Sequence, residues 1–270
     1  MEAGCGSCAD TVQAMRLRLI RHATLELDYG GRRLLVDPML DPAEARGPVE
    51  NTPNDRRNPL VELPEPAEEV AARAELVLVT HLHADHLDDT AVALLKGDRP
   101  VLCQPEDAET LRERGFTDAR PVQDTLEVDG LSVTRTGGQH GTGKIAEMLA
   151  PVSGFVLRAE GEPTVYIAGD TIWCDEVRAA LDEHSPDVVV VNASGARFTE
   201  GDPIVMTVED VATVARHVLP AKVVAVHLDA INHCLESRDE LRARLRAEGL
   251  EDRVSVPEDG EVAMLARTAP

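Results

Sequence analysis

Leu76-Val77-Leu78-Val79-Thr80-His81-Leu82-His83-Ala84-Asp85-His86 decides how this chain is read. Its first four residues form an unbroken apolar run, the pattern of a strand buried on both faces. Asp88-Asp89 and the apolar stretch at 91–95 then read as the capped start of a helix. Between them, three histidines and a carboxylate crowd a strand-to-helix loop, where a rigid scaffold commonly presents functional groups. A lone histidine is usually a surface or satisfied core residue. Four potential ligands this close together ask for a metal ion, and imidazole with carboxylate suits zinc, manganese or iron.

Upstream, 16–21 and 24–29 alternate apolar and charged residues, Gly30-Gly31 turns the chain, and 32–36 runs to Asp37-Pro38. This is an antiparallel meander. Residues 41–66 are rich in proline, asparagine and charge and form a long irregular connection, of the kind that often serves as a lid or substrate loop. A short helix at 66–73 precedes the apolar run.

Downstream, a helix is expected at 89–96, a strand at 101–104, a helix at 106–114 closed by Gly115, and strands at 125–128 and 131–136. Gly137-Gly138-Gln139-His140-Gly141-Thr142-Gly143 is a loop whose glycines let the backbone approach a ligand closely. A hairpin of 154–159 and 164–168 leads to Gly169-Asp170-Thr171, followed by a helix at 176–184. A buried strand at 187–191 runs into a polar loop at 192–203, and Thr207-x-x-Asp210 opens the helix at 207–219 like a capping box. The strand at 223–226 delivers His227, and an arginine-rich helix at 237–248 with strands at 253–256 and 261–266 completes the chain. His81, His83, Asp85, His86, His140, Asp170 and His227 each fall just past the C-terminal end of an apolar strand. That edge of an α/β sheet is where ligands collect.

The 270 residues suffice for a single α/β domain at 16–270 after an irregular segment at 1–15. With 27 Lys and Arg against 49 Asp and Glu, the net charge of -22 leaves no basic excess to neutralise phosphates, which argues against nucleic acid as a main partner. Lys96, Lys144 and Lys222 are the only lysines; a high-salt cytoplasm and a codon bias explain this equally well. No apolar stretch approaches a membrane span and the start lacks a signal-peptide pattern, so a cytoplasmic protein without integral membrane association is expected, with homo-oligomerisation left open. Cys5, Cys8, Cys103, Cys174 and Cys234 are odd in number and scattered, which is no disulfide framework. Cys5-x-x-Cys8 lacks a second pair to complete a structural zinc site and reads as irregular tail.

The His-x-His-x-Asp-His loop, His140, Gly169-Asp170-Thr171 and His227 together resemble the metallo-β-lactamase superfamily, over nearly the whole chain. Arg21-His22-Ala23-Thr24 and Leu35-Val36-Asp37-Pro38 further resemble the branch containing L-ascorbate-6-phosphate lactonase and N-acylphosphatidylethanolamine phospholipase D. The resemblance implies a four-layer αβ/βα sandwich of two mixed sheets flanked by helices. It also implies two divalent metal ions, zinc first and manganese or iron next. One is assigned to His81, His83 and His140, the other to Asp85, His86 and His227, with Asp170 bridging.

The chemistry implied is hydrolysis, with a metal-bridging hydroxide cleaving an ester, lactone or phosphodiester bond of a small soluble substrate. A nucleotide or RNA phosphodiesterase is one alternative, weakened by the acidic balance and the lack of a large inserted domain. An iron-dependent persulfide-type oxidoreductase is another, weakened by the complete second ligand set. Asp85 is also expected to take the proton of the attacking water. His233 and His22 are the candidates to donate a proton or bind substrate, a strand-end histidine with a backbone partner being the alternative for His22. Asn192, Arg197 and Trp173 are substrate-binding candidates, against roles as a loop cap, an exposed cation and a core residue. Asp37 is either a partner of the 81–86 loop or a turn cap.

Overall fold

In the computed structural model, which describes residues 14–267, the apolar run is β4, Leu76–Val79, and its alternation sorts it between two cores. Leu76 and Leu78 face one core, Val77 and Val79 the other. A strand buried on both faces reads as continuous rather than alternating hydrophobicity, which is why this run carries no polar residue.

β4 lies in a seven-stranded sheet with β1 (Met15–Arg21), β2 (Thr24–Tyr29), β3 (Arg32–Val36), β5 (Val101–Cys103), β6 (Ala119–Pro121) and β14 (Val262–Leu265), in the order β14-β1-β2-β3-β4-β5-β6. The opening meander is antiparallel, and β3 through β6 pair in parallel. The second sheet contains β7 (Thr125–Val128), β8 (Leu131–Thr136), β9 (Gly154–Ala159), β10 (Val165–Ile167), β11 (Val188–Asn192), β12 (Lys222–Val226) and β13 (Val254–Ser255), in the order β13-β12-β11-β10-β9-β8-β7.

The two sheets face each other. Leu17, Leu19, Leu25 and Leu78 of the first share a core with Phe155, Leu157, Val190 and Val224 of the second. On the outer side of the first sheet, α1 (Ala67–Arg73), α2 (Asp89–Leu95) and α3 (Ala108–Glu113) bury Val70, Ala71, Ala91, Leu95 and Leu111. On the outer side of the second, α5 (Asp175–His184), α6 (Val208–His217) and α7 (Arg238–Glu248) cover Val189, Val191, Val223 and Ala225. This is the expected four-layer αβ/βα arrangement. Thr207 with Asp210 and Ser237 with Glu240 form capping boxes that satisfy the first free N–H groups of α6 and α7.

Two elements differ from expectation. The glycine-rich loop gives way at Gly143 to a helix, α4 (Gly143–Leu149), and β6 adds a strand to the first sheet between Gly115 and the strand at 125–128. α4 is two turns long and buries none of its residues fully, with Ile145 and Leu149 only partly covered, so its apolar spacing is too brief to register as a helical pattern. The segment expected to be irregular up to residue 15 falls outside the described residues to position 13, as do Cys5 and Cys8, and Met15 already pairs with Leu265. Among the described residues, no helix is long and apolar enough to cross a membrane.

Candidate metal centre

The loop after β4 is anchored by a single carboxylate. Asp37, just past β3 and at a positive φ of 44°, accepts the Thr80 backbone N–H (2.7 Å) and hydroxyl (2.8 Å). Its Oδ2 also accepts from His86 Nδ1 at 2.9 Å. Asp37 thus partners the loop, one of its two expected roles. Inside the loop the backbone N–H groups of His86 and Leu87 both donate to the His83 carbonyl, folding His86 inwards. Asp88 then caps α2 by accepting from Ala91 N–H at 2.8 Å. His81 and His86 are buried, while His83 and Asp85 are partly open.

The other ligands arrive from the second sheet. His140 donates Nδ1–H to the Ile204 carbonyl (2.8 Å), which leaves its Nε2 lone pair directed at Asp170 Oδ2, 3.5 Å away. Asp170 follows Gly169, whose φ is 69° and where an added Cβ would lie 2.7 Å from the Ser153 carbonyl, so only glycine fits. Asn192 Nδ2 donates to Asp170 Oδ1 at 2.7 Å. His227 directly follows β12 at φ 70°, and its Nε2 lies 3.3 Å from Asp170 Oδ1 and 3.6 Å from Asp85 Oδ2.

Two clusters result, His81-His83-His140-Asp170 and His22-Asp85-His86-His227, and within each the candidate donor atoms lie within 4.8 Å of one another. The Asp170 carboxylate faces both, since its Oδ2 also lies 3.3 Å from His86 Nε2. All seven expected ligands are together, and His22 joins them.

The donor set fits metal ions. His86 Nε2 and His227 Nε2 are buried with no hydrogen-bond partner, and both face Asp170. Burial alone would neutralise Asp85 and Asp170, yet the neighbouring imidazoles, His86 for the first and His227 for the second, hold both well below the usual carboxylate range. Burial likewise opposes charge on His86, but Asp170, Asp37 and Asp85 outweigh it and push its pKa up to about 10. The centre is built to hold positive charge, and a divalent ion is the largest positive charge such a site can take.

A cavity of about 390 Å³ opens on both clusters. His83, Asp85, His140, Asp170 and His233 are at its polar end, and Val49, Leu149, Phe198, Ile204 and Ile231 form its wall. His233 is 6% exposed and its Nδ1 has no partner. Burial pushes His233 down to about 4, so at neutral pH it is an uncharged imidazole with one N–H and one lone pair.

Four expected residues are placed elsewhere. His22 is fully buried against Asp85 and does not line the cavity, because its positive φ turns the ring inwards beneath His227. Asn192 holds Asp170 instead of reaching the cavity. Arg197 turns back, its Nε donating to the Gly195 carbonyl at 3.3 Å. Trp173 packs on the outer core, edge-on to His217 and beneath the Arg178 guanidinium.

Asn232 is a functional neighbour that nothing in the sequence marks. Its side chain accepts from Val49 N–H and Asn58 Nδ2, and donates to Thr52 Oγ1 and the Asn54 carbonyl. It clamps the irregular 41–66 connection onto the loop carrying His233. No chemical signature marks such an asparagine in a sequence.

Histidines and aspartates gathered at one edge of two facing sheets define the class as a metal-dependent hydrolase of the metallo-β-lactamase fold. The chain belongs to this superfamily, and within it to the UPF0173 metal-dependent hydrolase family: residues 32–228 match the β-lactamase superfamily domain, and the UPF0173 protein YddR of Bacillus subtilis is 33% identical over 92% of this chain and 98% of its own. The crystal structure of a possible metal-dependent hydrolase from Veillonella parvula is similar with a TM-score of 0.89 and 33% identity, covering 94% of this chain and all of that one. An isothiocyanate hydrolase from Delia radicum gut bacteria is similar with the same TM-score and 37% identity, over 93% of this chain and all of that one.

Proposed function

We propose that this protein hydrolyses small uncharged electrophiles bearing an apolar group, with isothiocyanates as the first substrate class and apolar lactones and esters next. The observation that carries this reading is the cavity wall of Val49, Leu149, Phe198, Ile204 and Ile231 beside the metal centre. Arg46 is the one cation among the described residues lining the cavity, and its Nε is already paired with Asp41 at 2.9 Å. Its Nη2 is buried without a hydrogen-bond partner, but Asp41 offsets its charge, so a phosphodiester or nucleotide would meet a single compensated guanidinium there. The isothiocyanate hydrolase of 37% identity supports the same substrate class.

His81, His83, His140 and Asp170 would hold one ion, and Asp85, His86 and His227 the other. When bound, two divalent ions supply hydroxide at neutral pH and Lewis acidity towards the electrophile. Five imidazole nitrogens favour zinc, while the oxygens of Asp85 and Asp170 admit manganese or iron. Asp85, at the cavity and ionised, takes the proton of the attacking water. His233, neutral, offers its N–H to the heteroatom on which negative charge develops. The apolar wall receives the substituent and keeps bulk water from it. For R–N=C=S, water adds across the C=N bond, and the thiocarbamate loses carbonyl sulfide to leave the amine R–NH₂. One water is consumed, and one amine and one carbonyl sulfide are released. Free thiols at Cys103, Cys174 and Cys234 suit the reducing cytoplasm.

The test is amine release from benzyl isothiocyanate beside turnover of an apolar lactone and of bis(p-nitrophenyl) phosphate, with metal content measured on the same sample. Turnover of the isothiocyanate that His83→Ala abolishes is expected. Faster turnover of the phosphodiester overturns the substrate class, and equal rates in the variant overturn hydrolysis at this centre.

A further inference from the structure

We propose that His22 is a fifth protein donor at the second metal site, beside Asp85, His86, His227 and the shared Asp170, and that this site fills before the one at His81, His83 and His140. The inference rests on the metal-dependent reading above.

The backbone leading into His22 is fixed by an unusual neighbour. Arg21 is fully buried, and its guanidinium donates to the carbonyls of Val61, Met39 and Asp41 at 2.8–2.9 Å. The next residue, His22, takes a φ of 60°, a left-handed conformation that is strained for a non-glycine residue. It is pinned there by its own carbonyl, which accepts the His227 N–H at 2.8 Å. The strained backbone aims the imidazole inwards, where its ring centroid lies 3.6 Å from that of His227.

At that position His22 Nε2 is 3.1 Å from Asp85 Oδ2, and Nδ1 is buried without a partner. Donors sharing an ion at about 2.1 Å lie about 3.0–3.5 Å from one another, by the geometry of tetrahedral and octahedral coordination. The separations His22–Asp85 (3.1 Å), His227–Asp170 (3.3 Å), His86–Asp170 (3.3 Å) and His227–Asp85 (3.6 Å) fall in or next to that range, while His86–Asp85 is wider at 4.0 Å. A fully buried imidazole stacked on another, on strained backbone, gains little for the fold that an apolar side chain would not supply. A lone pair given to a cation offsets the cost.

The consequence is an asymmetric pair. With Asp170 counted for its 3.3 Å approach to His86 and His227, the second site has three nitrogens and two carboxylates, against three nitrogens and the shared carboxylate at the first. More donors, and an added negative charge from Asp85, make it the tighter site and admit ions that prefer more than four ligands.

The alternative is that His22 only donates Nε2–H to Asp85, and cobalt(II) titration of the chelator-stripped full-length protein separates the two. Bound cobalt is counted by equilibrium dialysis and its ligand field is read by visible absorption. Wild type is expected to load in two steps. His22→Ala weakens the first step at least about tenfold and shifts its absorption bands, while the other step persists. His22→Asn keeps a hydrogen-bond donor for Asp85 but no imidazole, and behaves like the alanine variant. His83→Ala keeps the tight step and loses the weak one. An unchanged first step in His22→Ala, its restoration in His22→Asn, or its loss in His83→Ala overturns the proposal. Wild type that binds no cobalt overturns the metal-dependent reading itself.

Discussion

Asp37 Oδ2 lies 2.9 Å from His86 Nδ1, and the same carboxylate binds both the N–H and the hydroxyl of Thr80. One buried side chain therefore fixes the start of the ligand loop and the tautomer of the histidine at its end. Removing such a partner typically lowers metal affinity about 10- to 100-fold. Asp37→Ala is expected to lose metal to a competing chelator at 10- to 100-fold lower concentration than wild type. Retention equal to wild type would show that the loop is positioned without Asp37.

Asn192 performs the same service for Asp170, donating to Oδ1 at 2.7 Å. Asn192→Asp replaces that donor with a second buried carboxylate against the first. Like charges at this distance cannot both stay ionised without cost. The expected outcome is an Asp170 that retains a proton near neutrality, with metal loading that recovers only as the pH is raised. Asn192→Ala removes the donor without adding charge and should show a smaller loss and no such pH dependence. Metal content after dialysis at pH 6 and pH 9 checks both.

The ligands were legible in the sequence because coordination demands particular side chains, and His81, His83, Asp85 and His86 announce themselves by density. The sandwich followed from the family resemblance that those ligands carry, whereas the valine- and leucine-rich runs of β4, β11 and β12 by themselves marked only buried strands. The cavity was not. Val49, Leu149, Phe198, Ile204 and Ile231 come from distant segments, and each is an ordinary apolar residue until the fold brings them together. His22 was placed near the metal rim, but its burial beneath His227 and away from the cavity was not legible, because a positive φ at a strand end leaves no trace in a histidine's sequence context.

Asn232 ties the 41–66 connection, which supplies Val49 to the cavity wall, to the loop bearing His233. Asn232→Ala leaves the Val49 N–H and Asn58 Nδ2 without their acceptor. Each stranded buried group costs about 1–3 kcal/mol, so chemical denaturation should show destabilisation of about 2–4 kcal/mol. Because the metal ligands are not touched, KM for the apolar substrate should rise more than kcat falls. A fall confined to kcat would place Asn232 in the chemistry instead of the wall.

His233 supplies the last prediction, a pH dependence of stability. Burial pushes its pKa down to about 4, against 6.5 for an exposed histidine. The unfolded chain therefore binds the proton more readily, and folding loses stability as the pH falls from 6.5 through 4. Over that window the loss is about 3 kcal/mol for a group held this far down. Asp88 and Asp107, raised by burial to about 6, work in the opposite sense, gaining stability as the pH falls. They are unchanged in His233→Gln and cancel in the comparison. With metal chelated, urea unfolding should show wild type losing about 2–3 kcal/mol more than His233→Gln between pH 7.5 and pH 4.5. Parallel curves would mean that His233 takes up its proton as readily in the folded protein as in the unfolded chain, so that burial does not hold it neutral.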